Sequence, residues 1–129
     1  DGEIQEGQIW EAAMAAGNYQ LNNLCAIVDN NNIQIDGTIE EIMSPYPIDK
    51  KFEAFKFNVV TCDGHDMQSI CHAFAEARKE TEKPTVIIAK TIKGKGVSFM
   101  EGKSAWHGKA IDDESFAKAM EELGGAVNA

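Results

Sequence analysis

Strand-like apolar runs set between helical patterns constrain this chain more than any other feature. Leu24-Cys25-Ala26-Ile27-Val28 is short and continuously apolar, the mark of a strand buried on both faces. Phe57 to Cys62 and Thr85 to Lys90 predict two further strands, the second preceded by Pro84. From Glu6 to about Gln20, Ile9, Trp10, Ala13, Ala16 and Tyr19 recur at helical spacing, with Gly17 as a late break. Ile48 to Lys56 predicts a short helix with Phe52 and Phe55 inward. Asp66 is a good N-cap for a helix to about Glu80, carrying Met67, Ile70, Cys71, Phe74 and Ala77 on its inner face. Asp112 caps a last helix that reaches Leu123 and ends at Gly124-Gly125. Strands alternating with helices of this length predict an α/β fold, a parallel sheet with helices on both faces.

In such sheets, ligands bind beyond the carboxyl ends of the strands. Four polar segments occupy those ends: Asp1-Gly2, Asp29–Asn32, Asp63–His65 and the loop after Lys90. That loop holds Gly94, Gly96, Gly102 and Gly108. Between the first two strands, Ile33 and Ile35 alternate before an Asp36-Gly37 turn, Thr38 to Glu41 has the form of a capping box, and Pro45 and Pro47 enforce an irregular connection. No internal repeat or linker interrupts the pattern, and 129 residues fit one compact domain.

Charge narrows the ligand class. The chain carries 12 Lys+Arg against 21 Asp+Glu, a formal −9. Phosphate contacts dominate nucleic-acid affinity, so a globally acidic chain excludes that partner class. Lys90, Lys93, Lys95, Lys103 and Lys109 nevertheless face only Glu101 within one stretch, which is locally +4. A basic segment in an acidic protein points to a focused site for a small anion. No apolar run approaches the roughly 20 residues of a membrane span, and no secretory signal pattern is expected. Three cysteines, Cys25, Cys62 and Cys71, fit a cytoplasmic compartment with reduced thiols. Cys62 and Cys71 are expected to be buried structural thiols, rather than zinc ligands with His65 and His72.

Two motif-like stretches fail on spacing. Gly96 to Gly102-Lys103-Ser104 has five intervening residues where a phosphate-binding P-loop has four. Asp29-Asn30-Asn31 opens like a calcium-binding EF-hand loop, but Ile33 and Gln34 stand at its fifth and sixth positions. A better pattern is Asp1-Gly2 followed, one βα-β unit later, by Asn31. A carboxylate and an amide oxygen at neighbouring strand tips can meet at one point, and such hard oxygen ligands suit Mg²⁺ or Ca²⁺ together with phosphate oxygens. The helix after Asp1-Gly2 would offer its N-terminal amides to a phosphate.

Asp1-Gly2 followed by Asn30-Asn31 resembles the thiamine-diphosphate signature, whose first glycine is absent here. More particularly, Asp1–Gly7, Asp29–Gly37 and Ser104-Ala-Trp-His-Gly-Lys109 resemble transketolases, and the similarity covers most of residues 1–123. The resemblance implies a thiamine-diphosphate-binding fold, with residues 1–129 as the C-terminal part of a diphosphate-binding domain. It implies metal binding by the Asp1 and Asn31 side chains and the Ile33 carbonyl, with Gly2 and Asn31 beside the cofactor diphosphate. Ile35 would lie against the thiazolium, Lys93 and His107 would contact the cofactor, and His107 would be catalytic and reach the substrate. Glu6 and Glu11 match acids near the cofactor and the subunit interface. His65 is expected to serve a turn and His72 the helix surface.

The implied reaction moves a two-carbon ketol unit from a ketose phosphate to an aldose phosphate, with thiamine diphosphate and Mg²⁺ (or Ca²⁺) as cofactors. A homo- or hetero-oligomer with a pyrimidine-binding domain or C-terminal transketolase subunit is implied, since the family's cofactor lies across a dimer interface. The upstream half of the diphosphate domain is also missing, so these residues alone are expected to have little activity. The Glu121–Ala129 ending fits the N-terminal subunit of a split transketolase, or else a truncated longer enzyme. Alternatives are a deoxyxylulose-phosphate synthase or 2-oxo-acid dehydrogenase component, which Trp106-His107-Gly108 argues against, and a non-catalytic α/β assembly module.

Overall fold

A computed structural model describes residues 1–125. A single 3₁₀ turn at Gly2–Gln5 leads into α1 (Gly7–Asn18), followed by β1 (Cys25–Asn30) and a small hairpin of β2 (Ile33–Gln34) and β3 (Gly37–Thr38). Next come α2 (Ile39–Ile42), α3 (Ile48–Ala54), β4 (Asn58–Asp63), α4 (Met67–Lys79) and β5 (Thr85–Lys90). A long loop with one 3₁₀ turn at Ser104–Trp106 then delivers α5 (Asp113–Glu122). The main sheet is parallel, in the order β1-β5-β4, so the last strand in sequence lies at its centre. Position explains the burial of β5: Thr85, Val86, Ile87 and Ile88 are all buried.

Helices cover both faces, as the alternation predicts. On one face, Ala13 and Ala16 of α1 and Ile48 and Phe52 of α3 pack with Val28, Val86 and Ile88. Trp10 adds a tilted ring contact to Phe52 at 5.3 Å, and Phe52 meets Phe57 edge-on at the same distance. Gly17 is the penultimate residue of α1, which ends at Asn18, and a Cβ there would overlap the carbonyl oxygen of Phe55, so the glycine also lets α1 and the end of α3 touch. On the other face, Ile70, Ala73 and Ala77 of α4 cover Cys62, Ile87 and their neighbours.

That second face corrects two expectations. β1 is not buried on both sides: Val28 is buried, but Ile27 is 58% exposed and Cys25 is exposed. The reason is connectivity. α4 leaves β4 and returns to β5, so it packs on those two strands and stops short of β1. The inner face of α4 is also narrower than expected. Ile70, Ala73 and Ala77 face the sheet, whereas Met67 and Cys71 are exposed and Phe74 remains 38% exposed. Cys71 is therefore no buried structural thiol, while Cys62 is buried and desolvation pushes its thiol pKa up.

The capping predictions agree with the structure. Asp66 accepts from Gln68 N (3.0 Å) and Ser69 N (3.3 Å), and Asp112 accepts from Ser115 N (2.7 Å). Thr38 and Glu41 form a reciprocal capping box. Gly124 has φ +70 at the end of α5, and the last residues of the Glu121–Ala129 segment, 126–129, lie outside the described residues. Among the described residues no helix is long and apolar enough to cross a membrane.

Candidate functional site

The carboxyl ends of β1 and β5 meet three irregular segments: the turn at residues 1–5, the β2–β3 hairpin and the loop after β5. Asp1 joins the first two. Its backbone nitrogen donates to Asp29 O at 2.8 Å. Its Oδ1 accepts from Gly2 N (3.0 Å), and its Oδ2 accepts from Asn30 Nδ2 (2.9 Å) and Asn32 N (2.6 Å). Asn32 adopts φ +63, a left-handed conformation that asparagine tolerates better than most residues, and this turns its N–H toward the carboxylate. Asn30 Nδ2 also donates to the Tyr46 hydroxyl at 2.7 Å. Asn31 closes a turn of its own, with Oδ1 accepting from Ile33 N at 3.0 Å.

The hairpin is held from the other side by glutamines. Gln5 Nε2 donates to Gln34 Oε1 (2.7 Å) and to Met43 O (2.6 Å). Gly2 lies against the Gln34 side chain, which a Cβ at residue 2 would meet at 3.0 Å. The bare backbone at Gly2 thus suits this close packing as well as any close approach by a phosphate.

These segments enclose a cavity of about 620 Å³. Asp1, Gly2, Asn31, Ile33, Ile35, Lys93 and His107 all line it. Residues from the two ends of the sequence are therefore neighbours in one depression. Ile35 is 67% exposed and presents an apolar side chain to the opening. Lys93 is half-buried and His107 is exposed. Glu6 also lines the cavity, whereas Glu11 belongs to a separate groove with Met14 and Tyr19.

The loop that supplies Lys93 and His107 is ordered by contacts within it and with neighbouring elements. Gly94 at φ +71 packs on the Met100 backbone, which a Cβ would meet at 2.9 Å. Trp106 Nε1 donates to Phe99 O at 3.0 Å, and its ring stands edge-on to Phe99 at 5.3 Å. Lys109 Nζ lies 4.3 Å from the Trp106 ring centroid. Glu101 accepts from Gly96 N (3.2 Å) and Lys95 Nζ (3.3 Å), which hold its carboxyl below the usual carboxylate range. Glu122 of α5 accepts from the Ser98 hydroxyl (2.7 Å) and amide, and these bonds lower its pKa likewise.

The charge of the cavity differs from the sequence expectation. Among the described residues, Asp1, Glu3, Glu6, Asp29 and Asp36 line it with five carboxylates, against the ammonium of Lys93. Three of the other four lysines of the basic stretch go elsewhere: Lys90 and Lys95 line a neighbouring cavity, and Lys109 covers Trp106. Five carboxylates repel a bare diphosphate and attract a cation, so an anion could enter only with its counter-ion. No group of three or more His, Cys, Asp or Glu side chains stands at metal-binding spacing among the described residues. A cation here would draw on mixed oxygen donors, the Asp1 carboxylate and the Asn31 amide together with main-chain carbonyl oxygen. That donor chemistry fits a hard divalent ion bound by few protein ligands. Gln5 and Gln34 also line the cavity, with no role legible in the sequence. Gln5 and Gln34 follow no motif, and only the hairpin's return beside residues 1–5 brings them in.

Known proteins share this fold and much of this sequence. The family described as "Transketolase, thiamine diphosphate binding domain" matches residues 1–128, and the chain belongs to that family. It is 46% identical to the 6-deoxy-6-sulfo-D-fructose transketolase subunit SqwG of Clostridium sp. (strain MSTE9), over 95% of this chain and 45% of that protein. It is 43% identical to an apulose-4-phosphate transketolase subunit of Actinobacillus succinogenes, over 95% of this chain and 44% of that protein. Among solved structures, a transketolase from Campylobacter jejuni superposes with a TM-score of 0.91 at 38% identity, covering 100% of this chain and 20% of that one. The transketolase of Pichia stipitis in complex with sedoheptulose 7-phosphate gives 0.87 at 31% identity, over 97% of this chain and 18% of that one. The chain thus spans less than half the length of the curated relatives it matches.

Proposed function

We propose that this chain supplies the diphosphate-and-metal half of a transketolase site, serving transfer of a two-carbon ketol unit between sugar phosphates. The observation that carries the reading is the convergence of Asp1, Asn31, Ile33, Ile35, Lys93 and His107 on one acid-rich cavity at the end of a parallel sheet. The Asp1 and Asn31 side chains and the Ile33 carbonyl hold Mg²⁺ (or Ca²⁺), which offsets the carboxylates and admits a diphosphate. Lys93 pairs with the anionic cofactor, Gly2 leaves room beside it, and Ile35 offers an apolar surface to its ring. Thiamine diphosphate, when bound, supplies the carbon nucleophile and the electron sink. His107 contacts cofactor and substrate and gives or takes a proton at a substrate hydroxyl or carbonyl oxygen, a task suited to an imidazole.

Residues 1–129 form, in this reading, the C-terminal part of a diphosphate-binding domain. The bare face of β1, with Ile27 and Cys25 uncovered, supports it, as does the 45% share of SqwG that the chain spans. Activity then requires the rest of that domain and a pyrimidine-binding domain or partner subunit, and these residues alone are inactive. Relatives named as transketolase subunits support the partner. A cytoplasmic enzyme handling sugar phosphates fits the same reading.

The test is calorimetric titration of thiamine diphosphate with Mg²⁺ into the full-length protein and its Asn31→Ala variant. The variant is expected to bind at least about tenfold more weakly, since it loses a charge-assisted ligand. Binding indifferent to Asn31 would favour a non-catalytic module.

A further inference from the structure

We infer that His65, in the turn between β4 and α4, is a positioning residue that sets Lys93 over the cofactor cavity. The inference rests on the reading of Lys93 as a cofactor ligand. Ile92 N donates to His65 Nε2 at 2.7 Å, and Ile92 is the residue immediately before Lys93. Thr91 is anchored from the opposite side. Its N–H donates to Asn30 O at 3.3 Å and its hydroxyl donates to the Asp29 carboxylate, both at the end of β1. The start of the glycine-rich loop is therefore clamped between the ends of the two outer strands.

Burial does not do this work. The Ile92 side chain is 42% exposed, and the first buried residue of the loop is Val97. The segment that aims Lys93 leaves the core at Lys90 and is held by hydrogen bonds. Gly102 N donates to Lys93 O at 2.8 Å, closing the loop on its far side. The His65 turn is itself stiff: Gly64 N donates to Lys90 O (2.8 Å), and His65 N donates to Asp63 Oδ1 (2.9 Å). A Cβ at Gly64 would lie 3.0 Å from Lys90 O and overlap the Thr91 side chain, so the turn presses directly on the loop's first residues. An imidazole accepting at Nε2 carries its proton on Nδ1, and glutamine can place an amide oxygen where Nε2 stands.

Two measurements on the full-length protein test this. Amide hydrogen exchange at Ile92 and Lys93 is expected to accelerate in His65→Ala and to return toward wild type in His65→Gln; exchange unchanged in His65→Ala overturns the latch. A double-mutant cycle on thiamine diphosphate affinity in Mg²⁺ reads its consequence. His65→Ala is expected to weaken binding about fivefold alone, but less than about twofold in a Lys93→Ala background. A His65→Ala loss that adds in full to that of Lys93→Ala overturns positioning while leaving Lys93 as a ligand. A Lys93→Ala variant that binds as tightly as wild type removes the underlying reading, and the inference with it.

Discussion

Two cavities open side by side at the carboxyl end of the sheet, and their chemistry is opposite. The one beyond β1, of about 620 Å³, has five carboxylates and Lys93. Its neighbour beyond β4 and β5, of about 550 Å³, has Asp63 against Lys90 and Lys95, with His65 beside them. Both are fed by the loop that follows β5. A basic stretch in sequence is thus divided in space, and the cavity that collects the candidate cofactor ligands receives the smaller share of its charge. The lesson is that an acid-rich depression can serve an anion if a divalent cation enters with it, whereas a lysine-lined one needs no such help.

The largest effect expected from this contrast concerns Asp1. Asp1→Asn keeps the side-chain shape and one accepting oxygen, loses the acceptor at the other, and removes one negative charge from the proposed cation site. Thiamine diphosphate affinity in Mg²⁺ should fall about a hundredfold, measured by calorimetry, because a charge-assisted metal ligand is lost. An unchanged affinity would break the assignment of the cation to this cavity.

A smaller effect separates the lysines. Lys93→Ala should weaken thiamine diphosphate binding about tenfold, while Lys95→Ala should change it less than about twofold. Equal losses would mean that the two cavities act as one electrostatic field rather than as separate sites.

The smallest effect is on acid stability. The carboxyls of Glu101, Asp112 and Glu122 all lie below their ordinary values, through bonds from Gly96 and Lys95, from Ser115 and from Ser98 respectively. A depressed folded-state pKa contributes stability that is complete above the unfolded-state value and is lost as pH falls through the folded one. The loop and α5 should therefore loosen below about pH 4, where unfolded Asp and Glu begin to protonate. Tryptophan fluorescence reports this through Trp106. Glu122→Gln should flatten that part of the profile slightly, and a profile identical to wild type would show that the Glu122–Ser98 bonds do not couple α5 to the loop.

Much of the fold was legible because its signals are local. The β5 run Thr85–Lys90, the caps at Asp66 and Asp112 and the Thr38–Glu41 capping box each depend on a few adjacent residues, and each is found in the structure. Gly17 marks the end of α1, as its type suggests, but its contact with Phe55, far along the chain, has no local signal. Cys71 and Phe74 lie outside the buried stripe of α4, because periodicity gives the direction of an apolar stripe and not its width. The lining of the candidate cavity was legible at Asp1, Asn31, Lys93 and His107 and in the Asp29–Asn32 segment, and silent at Gln5 and Gln34.

Residue order alone thus specified the elements, their caps and the polar segments that end the strands, because hydrophobic periodicity and capping act over one or two turns. Only tertiary structure settled which strand is central, which face of β1 is bare and how the basic stretch is divided between two cavities. Those outcomes depend on how α4 and the β5 loop cross the sheet, and such long-range packing leaves no local trace in the sequence.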